Sequence, residues 1–218
     1  MVAAADPPDV LRSYVGRYLE QEVKAEGWVR QLGSFSRFLE AISFSHASIL
    51  NLSAVSRDAQ VEQKTTAGYL SVLEDLLLGY RVPAFTKRAK RATAVHPKFY
   101  YVDAGICRSV RPKGPLDRPE EIGGPGLEGL VAQHLVAWIA YSGAEAKLYH
   151  WRTRGGAEVD LVVYGEAGFW AIEVKVYRGN RARIGEIHCE PVDAEALLHP
   201  NDPAGRAQSV SEWSMSTG

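Results

Sequence analysis

Two strand-like segments joined by a short turn constrain the fold of this chain more than any other feature of its sequence. Residues 159–163 and 170–176 are dominated by branched apolar and aromatic side chains, which are favoured in strands. Between them, residues 165–168 read Gly-Glu-Ala-Gly, a short glycine-bounded turn. The pattern predicts a β-hairpin, and hence an antiparallel sheet in this part of the chain.

Acidic side chains interrupt both strands of this hairpin. If Tyr164 pairs with Phe169, the antiparallel register places Asp160 directly opposite Glu173. Like charges in that position destabilise a sheet, so either one carboxyl group is protonated or a positive charge lies between the two. A hard divalent cation with oxygen ligands is the simplest candidate for that charge.

The same register places Glu158 opposite Lys175, where the two side chains are expected to form a cross-strand ion pair. A further carboxylate, Glu128, lies on a predicted helix and can join Asp160 and Glu173 around a divalent ion. A lysine beside them can neutralise charge on a phosphate. The alternative is an exposed strand face whose salt bridges contribute little each.

Composition excludes several classes of protein. The chain has 218 residues, enough for one core or two small ones, and its net charge of −1 indicates no particular partner. Two cysteines are too few for a disulfide framework or a zinc site, which fits a reducing cytoplasm. No signal peptide is predicted, and no apolar run reaches the roughly 18 residues of a membrane helix. We therefore expect a cytoplasmic protein without a membrane segment.

The N-terminal half predicts a helical module. Residues 9–45 carry apolar side chains at helical spacing, in two helices. Residues 53–79 predict a short helix, a turn and a longer helix that ends at Gly79, which is the order of a helix-turn-helix. Short strands at residues 80–85 and 98–105 would flank a basic loop, as in a winged helix.

A nucleic-acid hypothesis concerns the same module. Residues 63–66 open the longer helix, where base contacts usually come from, and Lys64 is the basic residue among them. The basic loop would act as a wing that clamps phosphates. Its candidate residues are Lys87, Arg88, Lys90 and Arg91. The alternative is a helical packing module.

The chain therefore divides into four parts. Residues 1–104 are expected to form the helical, winged-helix-like module. The glycine-, proline- and charge-rich residues 105–126 are expected to be a linker. Residues 127–184 predict a second domain in the order helix, strand, strand, strand. Residues 185–218 show no sustained period and are expected to be an irregular tail.

Several segments of the chain resemble a known superfamily. "WRTRGGAEVDLVV" followed by "AIEVKV" resembles the PD-(D/E)XK motif of restriction-endonuclease-like proteins. "GLEGLVAQHL" matches the helix that supplies a further glutamate in that superfamily. Over roughly residues 10–184, the order of such segments is similar to the C-terminal domain of unknown function of predicted prokaryotic AAA-type ATPases.

The resemblance implies a fold, a cofactor and a set of site residues. The implied fold class is α+β, with a helical winged-helix-like N-terminal module followed by a truncated restriction-endonuclease-like α/β domain. Asp160 and Glu173 would hold Mg²⁺, Lys175 would be the catalytic lysine and Glu128 the helix carboxylate, with Glu158 as support. The implied function is a nuclease-like domain that binds nucleic acid and hydrolyses phosphodiesters.

Two departures from that family leave alternatives open. No G-x-x-x-x-G-K-[ST] phosphate loop occurs in the chain, so an ATPase module is expected as a partner rather than as part of it. A further helix and strand are expected after the last strand, and residues 185–218 do not predict them. One interpretation of both departures is that the chain is a fragment of a longer gene; the sequence does not decide this. The alternatives to a nuclease are an inactive protein-interaction module and a winged-helix DNA-binding protein.

Overall fold

The computed structural model of the chain describes two units. The described residues are 10, 11, 13, 29, 31–86, 96–112, 114, 115, 119–153, 156–166, 168–175 and 186–191, of which 119–121 and 186–191 are described in their backbone alone. The first unit comprises Met1–Val82 and His96–Gln133, and the second comprises Pro83–Val95 and His134–Gly218.

The first unit combines helices with a small antiparallel sheet. Its elements in chain order are α1 (Leu32–Ser43), β1 (Ser48–Ile49), α2 (Leu52–Ala59), α3 (Gln63–Asp75), β2 (Gly79–Val82), β3 (Lys98–Tyr101), α4 (Ala104–Val110) and the first part of α5 (Pro119–Ser142). β3 is the central strand in the order β1-β3-β2, and it pairs antiparallel on both sides. The two short strands expected beside the basic loop are therefore present.

The largest buried side chains in the core of this unit are aromatic. Phe35 and Phe38 of α1 are buried against Tyr69 of α3, with the Phe35 and Tyr69 rings 5.1 Å apart in a T-shaped arrangement. Phe99 and Tyr101 of β3 belong to the same buried cluster. Helical spacing predicted the buried positions of α1 and α3, because residues that recur every three or four positions share one helix face.

The end of α3 differs from the prediction. The helix ends at Asp75 and not at Gly79, because Leu77 takes a left-handed φ of 56° that stops the helical hydrogen bonding. Gly79 instead begins β2, where an added Cβ would lie 2.8 Å from the ring of Phe99. The glycine is therefore needed for packing the sheet on the core.

The prediction of a linker at residues 105–126 is wrong, because two helices cover most of this segment. α4 fills its first part, and Asp103 caps this helix by accepting a hydrogen bond from the Ile106 N–H at 2.9 Å. α5 covers the glycine-rich remainder. An added Cβ at Gly126 would lie 3.2 Å from the guanidinium of Arg108. Composition could not distinguish a flexible linker from a helix whose glycines let side chains pack against its backbone.

His46 packs against the same glycine-rich helix, α5. Its Nδ1 accepts the N–H of Tyr101 at 3.1 Å, and its Nε2 lies so close to Gly129 of α5 that a Cβ there would overlap it. Burial, and then the positive charge of Arg111, lower the pKa of His46 to about 4, against an opposing effect of the Pro125 carbonyl. The imidazole is therefore neutral in the folded chain at neutral pH.

The second unit contains the end of α5 and a four-stranded sheet. Its strands are β4 (Ala146–Arg152), β5 (Glu158–Gly165), β6 (Gly168–Lys175) and β7 (Glu186–Pro191), adjacent in that order and antiparallel throughout. The chain is thus a mixed α/β protein with two small antiparallel sheets. Neither α5, with 24 residues, nor any other helix in the described ranges is long and apolar enough to cross a membrane.

β7 corrects the expectation that residues 185–218 form an irregular tail. Residues 186–191 pair with β6 along their whole length. Their sequence, Glu-Ile-His-Cys-Glu-Pro, has no apolar alternation long enough to predict a strand. The partner strand, rather than local propensity, makes this segment a strand. Residues 192–218 lie outside the described part of the chain, as does most of the first helix expected within residues 9–45.

The stability of the chain is expected to fall in mild acid because of His46. The unfolded chain takes up a proton at this histidine near pH 6.5, whereas the folded chain resists protonation until about pH 4. A lowered folded-state pKa costs stability as the pH falls below the unfolded value, here by about 2 kcal/mol between about pH 7 and about pH 5. Urea unfolding at the two pH values measures this loss.

The matched variant for this measurement is His46→Gln. Glutamine has no titrating group, so the difference in unfolding free energy between the two pH values should shrink by about 2 kcal/mol. An undiminished difference in the variant would assign the acid sensitivity to other groups.

Candidate functional site

The hairpin of β5 and β6 has the register predicted from the sequence. Tyr164 pairs with Phe169, and the ladder continues without irregularity as far as Leu161 opposite Ile172. Gly168, in the turn, has a φ of 141°, which side-chain-bearing residues rarely adopt. The turn and the first half of the hairpin therefore follow from local sequence.

A β-bulge interrupts the sheet at Asp160. Tyr149 pairs with Val162 and Trp151 pairs with Val159, so β4 has one residue between these pairs and β5 has two, the first of which is Asp160. A bulge of this kind breaks the alternation of side chains along the strand and re-aims the residues within it.

The carboxylate of Asp160 is turned toward β6. Its Oδ2 accepts a hydrogen bond from the Val174 N–H at 3.0 Å. That nitrogen is two covalent bonds from the Cα of Glu173, so the Asp160 oxygen lies within about 6 Å of that Cα atom. Both acidic residues are partly buried. The Asp160 carboxylate therefore bonds the backbone beside Glu173, and the direct cross-strand pairing that we expected is not part of the described ladder.

The predicted ion pair between Glu158 and Lys175 is wrong. Glu158 lies opposite Arg152 of β4, and its Oε2 is 3.6 Å from the Arg152 Nε. The two side chains are 52% and 50% exposed, so this pair contributes little to stability. Lys175 is exposed and lies opposite Glu186 of β7. The prediction failed because the ladder between β5 and β6 ends at the bulge.

Residues 83–85 bind the outer edge of β4 beside the bulge. The N–H of His150 donates to the carbonyl of Pro83 at 3.0 Å, and the carbonyl of His150 accepts from the Phe85 N–H at 2.7 Å. His150 is fully buried and is the β4 residue that faces the bulge. Residues 80–85 predicted only a strand of the N-terminal module, so the sequence contained no signal for this contact.

Phe85 anchors this segment on one face of the sheet. Its ring centroid lies 5.6 Å from that of Tyr149, 5.3 Å from that of Tyr164 and 5.1 Å from that of Phe169, each in a T-shaped arrangement. Such pairs contribute about 0.5–1.5 kcal/mol each beyond burial. Residues 83–85 therefore belong to the second unit, although they directly follow β2 of the first.

Glu128 lies in the first unit, where two residues that sequence analysis did not select hold it. Its Oε1 accepts from the Lys98 Nζ at 2.9 Å and from the Tyr100 hydroxyl at 2.6 Å. The side chains of Lys98 and Glu128 are 9% and 14% exposed, so both charges are largely removed from water. No spacing rule connects β3 with α5. The predicted role of Glu128 beside Asp160 stays a prediction.

Only some of the residues predicted to contact nucleic acid lie in the described part of the chain. Lys64 and Gln63 are exposed in the first turn of α3. Thr66 is buried and donates to the Glu62 carbonyl at 3.0 Å, so it cannot reach a base. The basic-loop residues outside the described ranges are Lys87, Arg88, Lys90 and Arg91.

The candidate metal ligands are the carboxylates of Asp160 and Glu173, which lie on the adjacent strands β5 and β6. Within the part of the chain that the structure describes, no group of three or more His, Cys, Asp or Glu side chains could hold a metal ion. A zinc site normally needs three or four protein ligands. Mg²⁺ is usually bound by one or two carboxylates and keeps several waters, so the pair of Asp160 and Glu173 suits it.

The structure thus defines a two-unit α/β protein with an acidic pair at a bulge in its second sheet. Two family models match the chain. The first, Domain of unknown function (DUF8612), matches residues 2–117, which is more than half of the chain, so the chain belongs to this family. The second, Domain of unknown function (DUF4143), matches residues 123–188 and includes the acidic hairpin.

Two relatives cover most of the chain. An uncharacterized protein of Mycobacterium bovis and an uncharacterized protein of Mycobacterium tuberculosis are each 27% identical to it over 199 residues. The match covers 87% of this chain and 43% of each relative, so the chain spans less than half of their length. No solved structure matches the chain.

Removing the acceptor at Asp160 is expected to destabilise the second sheet. In Asp160→Ala, the Val174 N–H loses its acceptor in a partly buried position, which costs about 1–2 kcal/mol. In Asp160→Asn, an amide oxygen can still accept from this N–H, so the loss should be smaller. Denaturant unfolding of both variants and the wild type in the presence of EDTA measures the difference. Equal losses in the two variants would contradict the role of this hydrogen bond.

Proposed function

We propose that the second unit is a nuclease-like domain that binds nucleic acid and cleaves phosphodiester bonds with the help of Mg²⁺. The observation that carries the proposal is the hydrogen bond that holds the Asp160 carboxylate on the amide directly after Glu173. An acidic side chain on a sheet can turn to water at little cost. Here a bulge re-aims it and the Val174 amide holds it beside the backbone of Glu173, so a divalent ion at this position could take carboxylate ligands from both residues.

A restriction-endonuclease-like core is the fold that we propose for this unit. Support comes from the order of α5 and the three strands after it, and from the position of the acidic motif on β5 and β6. β7 adds a strand after the motif, where the sequence predicted none. The core is therefore larger than the truncated one that we expected.

The side chains of the acidic hairpin have distinct roles in this proposal. Asp160 and Glu173 would bind Mg²⁺ through carboxylate oxygens, and the bound ion would supply Lewis-acid stabilisation of charge on the phosphodiester. Lys175 is exposed, shares a strand face with Glu173 and would position the attacking water. Glu158 forms an exposed pair with Arg152 and stays the supporting residue that the resemblance implies. Glu128 stays the helix carboxylate that the resemblance implies.

Thermal unfolding with and without metal tests the proposal. Magnesium or manganese at about 100 times its dissociation constant should stabilise the wild type by about 2.7 kcal/mol and raise its unfolding midpoint. Asp160→Asn should lose most of this rise, because it removes one of two anionic ligands. Glu166→Gln is the matched control, since Glu166 is an exposed acid in the turn of the same hairpin, and it should keep the rise.

The same proteins are then incubated with single- and double-stranded DNA and RNA. Metal-dependent cleavage by the wild type and by Glu166→Gln, together with its loss in Asp160→Asn and Lys175→Met, is the expected result. If metal moves the midpoint of none of these proteins, the acidic pair is inert. The second unit is then an interaction module for a partner protein.

The element order of the first unit favours a second activity, and we propose that this unit is a winged helix that contacts nucleic acid. α1, β1, α2, α3, β2 and β3 follow one another in winged-helix order, with β3 between β1 and β2. The exposed face of α3 begins with Gln63 and Lys64. It continues with the small residues Ala67, Gly68 and Ser71, which would allow close approach to a groove.

Binding of the full chain to DNA over a range of salt concentrations tests this second proposal. Lys64→Ala should weaken binding to all sequences and lower the slope of log K against log salt by about 1, because one phosphate contact is lost. Lys147→Ala removes an exposed lysine from β4 of the other unit and should leave the slope unchanged. Equal effects of the two substitutions would indicate non-specific attraction and exclude α3 as the contact.

An ATPase module is the partner that we propose for this chain in the cytoplasm. The domain model matched at residues 123–188 is commonly associated with AAA-type ATPases. The relatives are more than twice as long as the part that this chain covers, which leaves room for such a module in them.

A further inference from the structure

We infer that residues 83–85 position the carboxylate of Asp160, and that Phe85 is a positioning residue of the proposed metal site. The inference rests on the proposed function, because it concerns the role of Asp160 as a metal ligand. It gives a role in that site to a segment that follows β2 of the first unit in sequence and that no motif singles out.

The bulge decides where the Asp160 carboxylate lies. In a regular antiparallel ladder, side chains stand roughly perpendicular to the sheet and alternate between its faces. The extra β5 residue breaks this alternation, and the Oδ2 of Asp160 reaches the N–H of Val174 in the neighbouring strand. A slip of β4 by one residue would remove the bulge and move the carboxylate.

Hydrogen bonds at His150, the residue of β4 that faces the bulge, oppose such a slip. Both backbone groups of His150 are bonded on the outer edge, its N–H to the Pro83 carbonyl and its carbonyl to the Phe85 N–H. Ala84 forms a parallel bridge with the same residue. An edge strand usually leaves such groups to water. Residues 83–85 therefore fix the register of β4 at His150. The register at this position determines whether the bulge forms.

The Phe85 ring keeps this segment in place. It contacts one ring from each of three strands, Tyr149 on β4, Tyr164 on β5 and Phe169 on β6. The contact thus joins the strand that faces the bulge to the two strands that carry the acidic residues. Removing groups that orient metal ligands commonly lowers metal affinity about 10–100-fold, although these groups do not touch the metal.

Manganese binding to the full chain of 218 residues tests the inference, by calorimetric titration well below the unfolding midpoint. Phe85→Ala should weaken binding by about 10-fold or more, and Phe85→Tyr should restore it because a ring is kept. Tyr164→Ala is the matched control. It removes a ring of the same group at a position in the regular part of the ladder, so the affinity should change by less than about 3-fold.

Unfolding midpoints of the same variants separate positioning from stability. If Phe85→Ala and Tyr164→Ala both lower the midpoint while both bind manganese like the wild type, Phe85 has a structural role only and the inference is overturned. If Phe85→Ala does not fold, Phe85→Leu takes its place, because leucine keeps an apolar side chain without the ring contacts.

Manganese binding by the wild type distinguishes failure of the proposed metal site from failure of the inference about residues 83–85. If the wild type binds no manganese, the metal site fails and this inference fails with it. If the wild type binds, Asp160→Asn does not, and Phe85→Ala binds like the wild type, the metal site stands and this inference alone is wrong.

Discussion

The hydrogen bond from the Val174 N–H to the Asp160 carboxylate is the interaction on which the second unit depends. A sheet normally satisfies its amides with carbonyl groups of the neighbouring strand. Here a side chain takes that place, because β5 has one residue more than β4 can match. The ladder between β5 and β6 ends at Leu161 opposite Ile172, and the Asp160 side chain binds the amide next to Glu173. In the function proposed above, this arrangement would serve to place both carboxylates around a cation.

The first unit also places charged side chains where they have little contact with water. The Lys98 ammonium and the Glu128 carboxylate are bonded to each other with little exposure to water, and the Tyr100 hydroxyl donates to the same carboxylate oxygen. Loss of hydration offsets most of the attraction in such a pair, so it contributes little net stability. It does fix α5 on β3 in one orientation. The close fit of His46 against Gly129 has the same effect on the same helix.

Helices and strands whose formation depends on neighbouring residues in the sequence could be predicted. The apolar spacing of Phe35 and Phe38 predicted α1, and the glycine-bounded turn predicted the hairpin and its register near Tyr164. Elements that depend on distant partners could not. The glycines at residues 123–126 resembled a linker, because composition does not show that Arg108 packs on Gly126. β7 resembled a tail, because its strand conformation depends on pairing with β6.

By itself, the sequence determined that Asp160 and Glu173 lie on adjacent antiparallel strands, since strand propensity and turn geometry act over a few residues. Only the tertiary structure decided how they meet. The ladder that would have opposed them ends at Leu161 opposite Ile172, and the Asp160 carboxylate instead accepts the N–H of Val174, the residue after Glu173. That bulge faces His150, which residues 83–85 bind from a distant part of the chain. No local pattern encodes a hydrogen bond between segments so far apart, because it forms only when the chain has folded around it.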